Sequence, residues 1–127
     1  MHRIRLLYLL NAALLAAHEI DSAFWREWEL FRLPGGIGLF VVLNLGVMLL
    51  VLHGLAMVAL QRPSWTGYSW MLVAFGISAG AIHSYFFVMG YPQFRTGISL
   101  AVIYGLALGS VLQAIAMLRL APEQPNR

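Results

Sequence analysis

Cysteine is absent from the chain. Disulfides, thiolate metal sites and cysteine nucleophiles are therefore excluded. Charge is scarce as well: 10% of the 127 residues are charged, where soluble domains average about 25%. The eight basic residues are all arginine, scattered without a run and without aromatic interleaving. That leaves no nucleic-acid footprint, and we read the net charge of +3 as a mark of membrane orientation. Internal repeats and low-complexity segments are missing too. Apolar residues fill the space, at 61% of the chain with a mean hydropathy of +0.78. Soluble domains run about 45–50% apolar, so both deviations point to lipid as the solvent.

A helix that spans the hydrocarbon needs about 20 mainly apolar residues. Four stretches qualify, over about 4–20, 37–60, 68–90 and 97–118. Breaker chemistry separates them: Leu33-Pro34-Gly35-Gly36, Arg62-Pro63-Ser64 and Gly90-Tyr91-Pro92. The expected fold class is all-α, an integral membrane four-helix bundle forming one transmembrane domain over 1–127. The tail Ala121-Pro122-Glu123-Gln124-Pro125 is polar and expected to fray. The first segment has a rival reading as a signal peptide, because His2-Arg3-Ile4-Arg5 precedes a short apolar run that ends in small residues. We expect it to be retained as the first helix.

Arginine counts in short loops set orientation. An even number of spans puts Arg3, Arg5, Arg62, Arg119 and Arg127 on one side and Arg26, Arg32 and Arg95 on the other. Five against three favours both termini in the cytoplasm. Trp65, Tyr68 and Trp70 on one side, with Trp25, Trp28 and Tyr91 on the other, suit the aromatic belts. Small residues at four-residue steps let helices approach closely in lipid. The third span carries Gly76, Gly80 and Ser84 in this way, and the fourth carries Gly97, Ala101, Gly105 and Gly109. We read both as contacts within one bundle.

Four of the five acidic residues, Glu19, Asp21, Glu27 and Glu29, lie within eleven positions. At 100° per residue, Ile20, Phe24, Trp28 and Phe31 fall on one face, with Glu19, Ser22, Arg26, Glu29 and Arg32 opposite. This predicts an amphipathic interfacial helix over about 21–33. Glu27 breaks the pattern, since it falls among the aromatics. Either it faces water or it turns inward to a polar partner, because an unpaired buried charge is too costly. His18 and Asp21 are three apart and could reach one ion or one hydrogen-bonded partner.

The string His18-Glu19-Ile20-Asp21-Ser22, followed by Glu27-Trp28-Glu29-Leu30-Phe31, resembles a family of small bacterial four-helix integral membrane proteins of unknown function. The resemblance covers about fourteen residues strongly and otherwise follows the hydropathy of the four spans. It implies a bacterial cytoplasmic-membrane protein with an unexplained polar motif, and it supplies no activity.

Ionisable residues inside spans are functional-site hypotheses by default. His53 and His83 qualify, each near the midplane. His83 follows Gly76 and Gly80, and His53 follows Gly46, so both are expected to point into the bundle. We expect a polar cluster of His18, Glu19, Asp21, Glu27 and His83 near the outer face. The bland reading of each histidine is a neutral imidazole bonded across helices. Metal ligation by His18 and His83, joined by Asp21, Glu19 or Glu27, would suit zinc or iron, although no HxxxH or ExxH spacing supports it. Haem between His53 and His83 ranks lower, because their depths are offset. No cofactor is expected on balance.

Three function classes remain. A binding or accessory protein comes first, with the bilayer, and a second copy or another membrane protein, as partners. A small enzyme acting on a lipid-soluble substrate comes next, with Glu27, Asp21 and His83 in acid–base or metal roles. A transporter ranks last, because the last three spans carry no carboxylate or arginine at mid-depth.

Overall fold

A computed structural model describes residues 1–120. Within them the chain is all-helical: α1 (His2–Phe24), α2 (Glu27–Leu30), α3 (Gly36–Ala59), α4 (Trp65–Val88) and α5 (Gly97–Leu120). The polar tail from Ala121 lies outside the described residues. By length and composition α3, α4 and α5 could each cross a membrane. Helix α1 is almost as long but carries Arg3, Arg5, Glu19 and Asp21.

The ends follow from local chemistry. Helices α3 and α4 close with paired bonds that satisfy their last carbonyls. Arg62 N–H donates to Met57 O and Gln61 N–H to Val58 O after α3, and Tyr91 N–H donates to Phe86 O and Gly90 N–H to Phe87 O after α4. Each motif needs one left-handed residue, supplied by Gln61 (φ 52°) and Gly90 (φ 83°). At the start of α5, Thr96 Oγ1 accepts the Ser99 N–H at 3.2 Å, an N-cap.

The interfacial helix expected over 21–33 is corrected. α1 runs on to Phe24, and only the single turn α2 follows. Arg26 is left-handed (φ 55°) and breaks the helix there. The expected faces do not survive: the buried stripe of α1 runs through Asn11, Leu15, His18 and Ser22 and leaves Ile20 and Phe24 exposed, and beyond the Arg26 turn Glu27 and Trp28 are buried while Phe31 is exposed. Arg26 pairs with Glu29 at 2.6 Å on the exposed side, a contact of little energetic weight.

α4 and α5 make the most extensive contact, followed by α1 with α5, then α1 with α3 and α3 with α4. α1 and α4 also meet across one diagonal of this square, and α3 and α5 do not meet across the other. Glycines set the close approaches. A Cβ at Gly76 would overlap the Ser110 hydroxyl, and one at Gly80 would lie 2.8 Å from Ala107 Cβ. The stripe on α5 is narrower than its spacing predicts: Gly109 meets Asn11 and Gly105 reaches Leu14, while Gly97 has nothing near it and Ala101 is exposed.

Polarity is distributed inside out. Asn11, Ser69, Ser99, Ser110 and Gln113 are buried, and long rows of Leu, Val and Ile on α3 and α5 are exposed. Asn11 Nδ2 donates to Gln113 Oε1 at 2.7 Å, and Gln113 Nε2 donates to Ser69 O at 3.2 Å. Tyr8 Oη donates to Val51 O at 3.0 Å. Gly54 leaves room for that hydroxyl, which a Cβ would overlap.

Candidate functional site

Three ionisable side chains converge where α1 ends, α2 turns and α4 nears its last turn. His18 projects from α1 and His83 from α4, and Glu27 opens α2. They are 3%, 1% and 8% exposed, so each is withdrawn from water. His83 Nε2 lies 3.2 Å from Glu27 Oε1. The His18 and His83 rings meet edge to face at 4.8 Å between centroids. One ligand atom from each of the three lies within 4.8 Å of the others.

Helix periodicity and the Arg26 turn place them together. The face of α1 that buries Asn11 and Leu15 also buries His18 and Ser22. In α4, Gly76, Gly80 and His83 share the buried face. Trp28 stacks near Phe40 of α3 at 5.2 Å, and Phe31 lies 5.7 Å from Phe86 of α4, so both ends of α2 are pinned. Burial alone would raise the Glu27 carboxyl, but the His83 hydrogen bond and the adjacent His18 and His83 rings outweigh it and hold the group below its ordinary value.

Phe94 closes the site from the loop between α4 and α5. It is 1% exposed, with its ring 4.3 Å from His83 and 6.2 Å from His18. Its backbone is left-handed (φ 61°), a strained conformation for an aromatic residue. Trp25 lies 6.0 Å from Phe94, and its Nε1 donates to Ser99 Oγ at 3.3 Å, tying this end of α1 to α5. No spacing or motif marks Phe94 in the sequence. Gln113, the other residue that reading missed, did carry a signal, as the only amide in the last span.

Of the other expected members, Glu19 is half-buried and lines the same crevice as the trio. Asp21 is also half-buried, with Oδ2 enclosed and unpartnered, but it is not one of the three convergent groups. Of the three carboxylates expected beside the histidines, Glu27 is the one that converges with them. The inward placement of His53 is corrected: it is exposed and stands 5.3 Å from the Tyr68 ring. Gly46, on the same face, has nothing within 4 Å, so that face of α3 is open. Tyr68 is fifteen residues from His83 along α4, about 22 Å at 1.5 Å per residue. The two histidines do not face each other, and the haem arrangement is not formed.

The crevice has a volume of about 230 Å³ and runs between α1, α3 and α4. His18, Glu27 and His83 form its polar wall, and Leu15, Val47 and Phe75 part of its apolar one. Phe31, Ser78 and Ile82 line its exposed mouth. Residues 4–120 match a family of unknown function (DUF6713). The chain belongs to that family. No curated protein and no solved structure matches it. Membership thus assigns no chemistry to the site, and the function has to be argued from the His18–Glu27–His83 geometry itself.

Proposed function

We propose that this is a four-span protein of the bacterial cytoplasmic membrane, with both termini inside, that binds a ligand at its His/Glu cluster near the outer face. Inverted polarity supports the membrane assignment, because amides and hydroxyls pair between helices while the apolar rows face outward. Helix α1 then serves as the first span and α2 lies at the outer interface. The observation that carries the binding reading is the crevice. Its polar end holds the buried trio, and its mouth opens between apolar helices. A second reading, acid–base chemistry on a lipid-soluble substrate, draws on the Glu27–His83 contact, across which a proton can be passed.

Orientation has its own test. Reporter fusions at Gln61 and at the C-terminus are expected to read cytoplasmic, and fusions at Gly35 and Gly90 periplasmic. Periplasmic signals at Gln61 and Arg127 together would reverse the assignment.

The binding reading is tested with a photo-crosslinking residue at Ser78 or Ile82, at the mouth, against one at the exposed Val42 of α3. A discrete adduct at the mouth that is missing at Val42 is expected. Identical, lipid-only labelling at all three positions would retire the reading.

A further inference from the structure

We propose that His18, Glu27 and His83 bind one divalent transition-metal ion, with a remaining coordination position facing the crevice. This rests on the binding reading above and names the ligand class at that same site.

Two neutral imidazoles and one carboxylate form a nitrogen–oxygen donor set suited to zinc or ferrous iron, whereas calcium and magnesium take oxygen ligands. All three residues are more than nine-tenths buried. Acidic and histidine groups gathered on a surface carry no such meaning, but here each group has given up its hydration. That loss is only partly recovered. The Nδ1 atoms of both His18 and His83 are enclosed and without a hydrogen-bond partner. Buried imidazoles with unused lone pairs are costly in apolar surroundings, and Leu15 and Phe94 supply such surroundings.

The spacing fits an ion after a small closure. Bonds of about 2.0–2.1 Å in a tetrahedral site place neighbouring ligand atoms about 3.3 Å apart. The Glu27–His83 edge is 3.2 Å and already has this length. The remaining edges are at most 4.8 Å, so they must shorten by no more than about 1.5 Å. Both remaining edges run to His18 of α1, so its side chain makes the approach, while α2 stays pinned by Trp28 and Phe31. On loading, His83 Nε2 would exchange its N–H bond to Glu27 for a bond to the ion, with the ring proton moved to Nδ1, so the orphaned nitrogen that the ion can take up is Nδ1 of His18. The three ligands carry one negative charge, so the bound ion keeps one positive charge. A water, hydroxide or anionic ligand entering by the crevice completes the shell. That position would supply Lewis acidity at the crevice end.

The experiment uses the full chain in mild detergent, stripped with a chelator and titrated with Co²⁺ and then Zn²⁺. About one equivalent of Co²⁺ is expected to bind with the intense visible bands of a four- or five-coordinate site, and Zn²⁺ to bleach them. Changes beyond the ligands alone cost 10–100-fold in metal affinity, so Glu27→Gln and His83→Gln should each weaken Co²⁺ binding about 100-fold. Added Zn²⁺ should raise the unfolding temperature of the wild type and leave that of Glu27→Gln unchanged. If the variants do not fold, the wild-type cobalt spectrum decides alone. Monodisperse wild-type protein without those bands overturns the proposal, as does full affinity in folded Glu27→Gln. Mouth-specific crosslinks without metal uptake would retire the ion and keep the crevice ligand. Metal uptake without such crosslinks would retire the crevice ligand and keep the ion.

Discussion

Gly76→Leu will prevent assembly of the bundle, and Gly46→Leu will leave it intact. Both replace a glycine inside a long apolar helix, so helix propensity favours both equally. Their surroundings differ. A Cβ at Gly76 would overlap the Ser110 hydroxyl and sit 3.1 Å from the Leu106 carbonyl oxygen, which is backbone and cannot step aside. A Cβ at Gly46 meets nothing within 4 Å. The α4–α5 contact is the most extensive in the molecule. In the proposed lipid setting, close packing rather than water exclusion would hold such contacts, so separating the helices would forfeit most of what joins them. Overpacking commonly costs about 1–3 kcal/mol, and a leucine driven against backbone should exceed about 3 kcal/mol. Thermal unfolding in detergent, with gel filtration to score monodisperse protein, measures the contrast. Equal, small shifts for the two variants would contradict the close-packed face.

Phe94→Ala is expected to be almost as damaging, and Phe94→Gly less so. The ring is buried against His83 and His18, and removing such a side chain typically costs about 3–5 kcal/mol. Both substitutions lose that packing. They differ at the backbone, where φ is 61°. Alanine retains the Cβ clash of the left-handed conformation, worth about 1–2 kcal/mol, and glycine has none. The glycine variant should therefore be the more stable by about 1 kcal/mol, a reversal of the usual order for these two residues. Chemical or thermal unfolding of the pair checks it. Alanine exceeding glycine would mean that Phe94 is not held left-handed.

The breakers at Pro34-Gly35-Gly36, Arg62-Pro63 and Gly90-Tyr91-Pro92 delimit the long helices because they act locally, on one residue's backbone. Gly76 and Gly80 were legible as a close-packed pair for a related reason, since helical spacing alone puts them on one face with His83. The segment after Ile20 was not legible in the same way. Periodicity assumes an unbroken helix, and beyond one left-handed residue, Arg26, Glu27 and Trp28 turn inward. Nothing about an arginine announces that conformation. In the site, the inward turn of Glu27 was legible from its place among aromatics, whereas Asp21, three residues from His18, does not join the convergent groups. His53 failed for a different reason. Its glycine, Gly46, has the right spacing from it but no neighbouring helix behind it. Small-residue spacing defines a face and does not say whether that face is covered.

The bond from Asn11 to Gln113 joins positions 102 residues apart. Helix α1 is made first and α5 last. Until α5 has been synthesised and inserted, Asn11 has no acceptor for its amide. His83 must be in place before Glu27 finds its partner, and Phe94 must follow before the two histidines are covered. A ribosome stalled after α3 would therefore leave the Asn11 amide and the Glu27 carboxylate without their partners. Incomplete chains are thereby chemically distinct from complete ones, and α4 and then α5 remove the difference.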